Sequence, residues 1–158
     1  MREYPYRHEK GKLPPTLAKV EFLANVDQAA LDGILSNSSL VEFDCGEDIL
    51  QEGEISTEFY ILLKGEVEVK KAGEAVATLA QSGEILGELR SLTGEARTAT
   101  VSAATHCFLL KVKQNFIDGL SESERSAYYI VLYRFLAEVL AKRLEETSAR
   151  LAALEKDL

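Results

Sequence analysis

Gly87-Glu88-Leu89-Arg90-Ser91-Leu92-Thr93-Gly94-Glu95-Ala96-Arg97-Thr98-Ala99-Thr100 is the stretch on which the reading of the fold turns. Strand texture lies on both sides of it and breaks within it. Gly83 and Gly87 bracket Glu84-Ile85-Leu86, and Glu88 to Leu92 suits a single helical turn. An arginine can grip a phosphate with two parallel N–H groups. Backbone N–H groups at a helix start add further donors. A carboxylate accepts the proton of a sugar hydroxyl, and a glycine beside it lets the backbone come close. Gly87, Glu88 and Arg97 supply this set in order. One Glu and one Arg in a loop are usually two solvated charges, so the weight rests on order and spacing.

Outward from this stretch, Leu40 to Val112 reads as short strands punctuated by turns. Leu40–Phe43, Asp48–Gln51, Phe59–Leu63, Val67–Lys70 and Ala75–Leu79 are expected strands, and so are Thr98–Ala103 and His106–Val112. Glu66-Val67-Glu68-Val69-Lys70 alternates as a strand with one wet face should. Many short strands with glycine turns point to a barrel or jelly roll. Before them, Leu17, Val20, Leu23 and Ala24 recur at helical spacing between Thr16 and Val26. A second helix is expected from Asp27, as N-cap, to Leu35. Residues 1–14 are polar and read as a mobile tail.

From Ser121 to the last residue, Leu158, no glycine or proline occurs, and a serine cap starts a long helix. Ile130, Tyr133, Ala137, Leu140, Leu144, Thr147, Leu151, Leu154 and Leu158 follow a 3-4 alternation, the seam of a coiled coil. One small roll cannot cover so long a seam, so a homodimer through residues 121–158 is expected. The domain reading is a tail over 1–14, a roll over 15–120 and a coiled-coil helix over 121–158. The fold class is α+β: an antiparallel jelly roll flanked by N-terminal helices and a long C-terminal dimerisation helix.

Composition closes off other classes. The 158 residues carry a formal net charge of −8 with scattered Lys and Arg, which disfavours nucleic-acid binding. No apolar run reaches the roughly 20 residues a membrane span needs, and no signal peptide opens the chain, so a cytoplasmic place is expected. Cys45 and Cys107 read as two buried thiols, with no metal-site spacing. A jelly-roll metalloenzyme needs several His and carboxylate ligands, and His106 is the one histidine in the roll. No enzyme and no cofactor are expected.

The quoted stretch resembles the phosphate-binding cassette of the cyclic-nucleotide-binding domain family, with the pattern F-G-E-L-A-L-x-x-x-x-P-R-A-A-T-V. The matching residues are Leu86, Gly87, Glu88 and Leu89, then Arg97, Thr98, Ala99, Thr100 and Val101. Gly46-Glu47-Asp48-Ile49-Leu50-Gln51-Glu52-Gly53 and Phe59-Tyr60-Ile61-Leu62-Leu63-Lys64-Gly65-Glu66-Val67 resemble two further family motifs, in order. The resemblance covers about residues 16–120. It implies that Glu88 takes a ribose 2′-hydroxyl, that Arg97 takes the cyclic phosphate, and that the backbone of Gly87, Leu89 and Thr98 lines the cradle. The implied ligand is cAMP or cGMP. Thr98 implies a guanine contact, or is simply a β-branched residue opening a strand.

The chain departs from the pattern at Arg90, where a small residue is usual, at Ser91 for leucine, and at Ala96 for proline. A dimeric module whose pocket no longer binds nucleotide is the alternative, and Arg90 supports it best. In the last helix, Lys142-Arg143-Leu144-Glu145-Glu146-Thr147-Ser148 resembles the dimer helix of the family's catabolite-activator branch. That adds Arg143, Thr147 and Ser148 as ligand-side candidates, the Thr-Ser pair reaching a base across the dimer. Thr147 could equally be a polar seam residue that sets helix register. No recognition helix follows, so the reading is a sensor that signals to an unidentified protein partner.

Overall fold

The computed structural model describes residues 1–79, 82–88 and 94–157. Among them, nine antiparallel strands form two facing sheets. They are β1 (Arg2–Pro5), β2 (Ser38–Phe43), β3 (Asp48–Leu50), β4 (Glu58–Lys64), β5 (Val67–Lys71), β6 (Glu74–Leu79), β7 (Ile85–Leu86), β8 (Thr100–Ala103) and β9 (Cys107–Lys113). One sheet runs β1-β2-β9-β4-β7 and the other β3-β8-β5-β6. Three short helices lie between β1 and β2: α1 (Pro15–Ala18), α2 (Glu21–Asn25) and α3 (Gln28–Ser36). A 3-10 helix (Gln114–Gly119) leads into α4 (Glu122–Lys156). The expected jelly roll, with helices before its main strands and a long helix after them, is present.

Two apolar layers hold the fold, and β4 shows why. Phe59 and Ile61 point to the helices, where they join Phe22, Leu23, Ile34 and Leu132. Tyr60 and Leu62 point between the sheets, with Phe43, Leu50 and Leu109. Both faces of β4 are buried, so its sequence is a continuous apolar run without alternation. In β5, by contrast, Val67 is buried, Glu68 to Lys70 are half-buried and Lys71 is exposed.

Four expectations differ from the structure. The polar segment 1–14 contains the strand β1, which pairs with β2 from Arg2↔Glu42 to Pro5↔Ser39. Its side chains are held by charge: Arg2 Nε meets Glu42 at 2.9 Å, and Glu3 meets Lys111 at 3.4 Å. Farther on, the His8 ring is buried and sits 2.6 Å from Asp32, whose carboxylate also accepts the Gly11 N–H. Tyr6 and Leu13 of the same segment pack on the core, but two apolar residues seven positions apart carry no strand or helix periodicity. The single helix expected over 16–26 is two helices, because Val20 is extended (φ −78°, ψ 109°) and turns the chain so that Phe22 and Leu23 bury as well as Leu17. Strand β8 starts at Thr100, so Thr98 precedes it and does not open it. Cys107 is buried as expected, but Cys45 is exposed in the turn after β2.

Helix α4 begins with a capping box. The Ser121 hydroxyl accepts the Glu124 N–H, and the Glu124 carboxylate accepts the Ser121 N–H. Two otherwise unmatched donors are thereby satisfied. Ser121→Ala should lower stability by about 1 kcal/mol, read from a denaturant titration.

The first half of α4 packs on the roll through Tyr128 and Leu132, with Phe135 and Leu136 half-buried behind them. The seam expected for pairing faces elsewhere. Ile130, Tyr133, Leu140, Leu144, Leu151 and Leu154 are all at least half exposed. The helix thus carries two apolar stripes, one covered by its own domain and one bare.

Candidate functional site

The break in the roll forms the wall of a cavity of about 300 Å³. Leu86, Gly87 and Glu88 come from the end of β7 and the turn after it. Arg97, Thr98 and Ala99 come from the approach to β8, and Arg143 reaches in from α4. The apolar part of the wall is Leu50, Val69, Leu79, Val101 and Leu136. Seven of the sequence candidates therefore meet around one hollow. Leu89, Arg90 and Ser91 lie outside the described residues.

Arg97 is fixed at both ends. Its backbone N–H donates to Glu54 O and its C=O accepts from Gly53 N, each at 2.8 Å. The Glu52-Gly53-Glu54 turn, remote in sequence, thus anchors the backbone of the arginine. The guanidinium is buried, donates from Nη2 to Glu58 O at 2.7 Å, and donates from Nη1 to Gly87 O. Its Nε is buried and has no hydrogen-bond partner among the described residues. Burial draws the Arg97 pKa down, and the charge of Glu54 leads the groups that oppose this.

Gly87 has φ +83°, and a Cβ built on it would lie 2.8 Å from Arg97 Nη1. Both the backbone conformation and the close approach require glycine here.

Glu88 is 2% exposed. Its Oε1 accepts from Gln114 Nε2 at 2.6 Å and from the Tyr128 hydroxyl at 3.3 Å. Burial pushes its carboxyl up to about 7, while Gln114, Tyr128 and the charge of Arg97 act in the opposite direction. Between about pH 4.5 and 7 the folded chain therefore holds a proton that the unfolded chain has released. The contribution of Glu88 to stability falls as pH rises through that window. The full difference is about 3 kcal/mol at about 1.4 kcal/mol per pH unit. Glu88→Gln should flatten this part of the pH dependence and leave the variant more stable than wild type at pH 8, measured by melting curves from pH 4 to 8.

The last helix contributes unevenly. Arg143 Nη2 meets Glu84 Oε2 at 2.7 Å, which holds its side chain at the cavity rim. Thr147 lines an adjacent hollow of about 310 Å³ between α4 and β6, which shares Leu79 and Arg143 with the first. Ser148 is exposed and lines neither. Sequence reasoning missed Gln114 and Tyr128 as partners of Glu88. Tyr128 lies on the covered stripe of α4, a second periodicity that could have marked it; nothing in the sequence marked Gln114.

A buried guanidinium, a buried carboxylate and an apolar wall around one hollow offer a donor fork, an acceptor and an apolar surface within one cavity. The family model described as cyclic nucleotide-binding domain matches residues 40–124, more than half of the chain, and the protein belongs to that family. It is 31% identical over 94 residues to a cGMP-dependent protein kinase of Drosophila melanogaster, covering 60% of this chain and 8% of that one. It is 32% identical over 89 residues to a cAMP-dependent protein kinase regulatory subunit of Schizosaccharomyces pombe, covering 56% of this chain and 22% of that one. The chain thus spans less than a quarter of the length of either relative. The crystal structure of a cyclic nucleotide-binding domain from Methylobacillus flagellatus superposes with a TM-score of 0.67 at 21% identity, over 83% of this chain and 79% of that one. At that identity the likeness speaks for the fold.

Proposed function

We propose that the cavity binds a cyclic nucleotide, cAMP or cGMP, and that α4 passes the event to a second copy of the chain and to a protein partner. Arg97 takes the cyclic phosphate, Glu88 the ribose 2′-hydroxyl, and the backbone of Gly87 and Thr98 lines the cradle; Leu89, expected beside them, lies outside the described residues. The base lies along Leu79 and Arg143 toward Thr147 and Ser148. The observation that carries this reading is the buried Arg97 at the cavity wall, whose Nε–H has no partner among the described residues. A buried donor without an acceptor is costly, and an anion in the hollow would supply one. The module is regulatory and carries out no reaction of its own. Its proposed place is cytoplasmic; no helix among the described residues is long and apolar enough to cross a membrane.

A second reading has one observation behind it. Arg97 and Glu88 both already bond the protein's own groups: Gly87 O and Glu58 O for the arginine, Gln114 and Tyr128 for the glutamate. A pocket closed on itself in this way fits an interaction module that binds no nucleotide. Parallel calorimetric titrations with cAMP and cGMP decide between the two. Saturable heat with either supports the sensor, and none with both removes it.

A further inference from the structure

Glu88 stands where the cradle meets the C-terminal helices. It lines the cavity, yet its Oε1 is bonded to the first residue of the 3-10 helix, Gln114, and to Tyr128 in the second turn of α4. Neither donor can follow the carboxylate alone. Gln114 N–H is tied to Thr57 O at 3.1 Å. The Tyr128 ring is 1% exposed and packs edge-on against Phe116 and Phe22, with centroids at 5.2 and 6.1 Å. Moving the hydroxyl therefore means moving helix.

We propose that Gln114 and Tyr128 form a latch that competes with the ligand for Glu88, so that occupancy of the cradle releases the 3-10 helix and the first turns of α4. The inference rests on the assignment of Glu88 to the sugar hydroxyl made above. A carboxylate that turns to accept a hydroxyl in the cavity withdraws Oε1 from two buried donors. Buried donors left without acceptors are costly, and a shift of the helices that finds them water relieves that cost. Leu136 and Arg143 of α4 also line the cavity, so the same shift changes the wall that the ligand meets. The latched and released states thus bind ligand with different affinity, which is what coupling requires.

Tyr128→Phe keeps the ring contacts and removes the hydroxyl; Gln114→Leu removes the amide at similar volume. Each variant should bind cAMP or cGMP about three- to tenfold more tightly than wild type in calorimetry, the gain expected when a competing hydrogen bond is lost. In wild type, nucleotide should speed hydrogen exchange of amides over 114–132. In Tyr128→Phe those amides should exchange fast already, and nucleotide should add little. Equal or weaker binding by Tyr128→Phe, with wild type binding normally, overturns the latch and leaves the nucleotide reading in place. Tyr128→Phe alone suffices if Gln114→Leu does not fold. No binding of either nucleotide by wild type overturns the nucleotide reading, and the competition with it.

Discussion

Arg97→Ala is expected to abolish cyclic-nucleotide binding in calorimetry. Removing one partner of a buried, charge-assisted contact typically costs about 2–5 kcal/mol. At about 1.4 kcal/mol per decade, that weakens affinity by roughly 30-fold to several thousand-fold. The expected phenotype has a second part. Arg97 also donates to Gly87 O and Glu58 O, so alanine leaves two carbonyls without that donor and loosens the turn after β7. The backbone bonds to Gly53 and Glu54 remain, because they do not involve the side chain. A melting curve that stays cooperative separates lost binding from lost fold. Arg97→Lys is the sharper companion: it keeps the charge and loses the planar fork, so intermediate affinity is expected. Wild-type affinity in Arg97→Ala would remove Arg97 from the site.

Much of the roll was legible because its strands bury their faces in patterns that a sequence displays. The run Phe59 to Leu63 serves two apolar layers at once, and the alternation around Val67 serves one. The order of Gly87, Glu88 and Arg97 was legible for a different reason. A Cβ at position 87 would lie 2.8 Å from the guanidinium, which leaves no room for another residue, so the chemistry shows in the letters. Strand β1 was not legible, since ion pairs with Glu42 and Lys111 hold it in place of apolar contacts. The partners of Glu88 were not legible either. Gln114 and Tyr128 lie 26 and 40 positions downstream, and only the return of the C-terminal helices across the roll brings them to it. Local texture records which face of an element is buried; it does not record which distant polar group completes a carboxylate's hydrogen bonds.

The bare stripe of α4 yields the other large effect. Leu144→Glu should convert the proposed dimer to monomer in sedimentation velocity. Leu144 is 67% exposed, and its seam neighbours Leu140 and Leu151 are exposed at 59% and 57%. A row of leucines that with Thr147 keeps alternating three- and four-residue steps, bare on its own domain, is the pattern of a coiled-coil seam. A carboxylate at the centre of that seam must be buried opposite its own symmetry mate, two like charges in an apolar interface. The cost of burying an unpaired charge, several kcal/mol per ion, exceeds what one leucine contributes. Dissociation should also cost helix. Beyond Arg143 every described residue of α4 is exposed, so no buried side chain among them holds the end of the helix. Short helical segments without such packing are marginal in water. Circular dichroism should therefore show less helix in Leu144→Glu than in wild type, while the roll, anchored by Tyr128 and Leu132, melts as before. A wild-type chain that sediments as a monomer at all concentrations would remove the pairing, and with it the route by which Thr147 and Ser148 reach a base bound to the other copy.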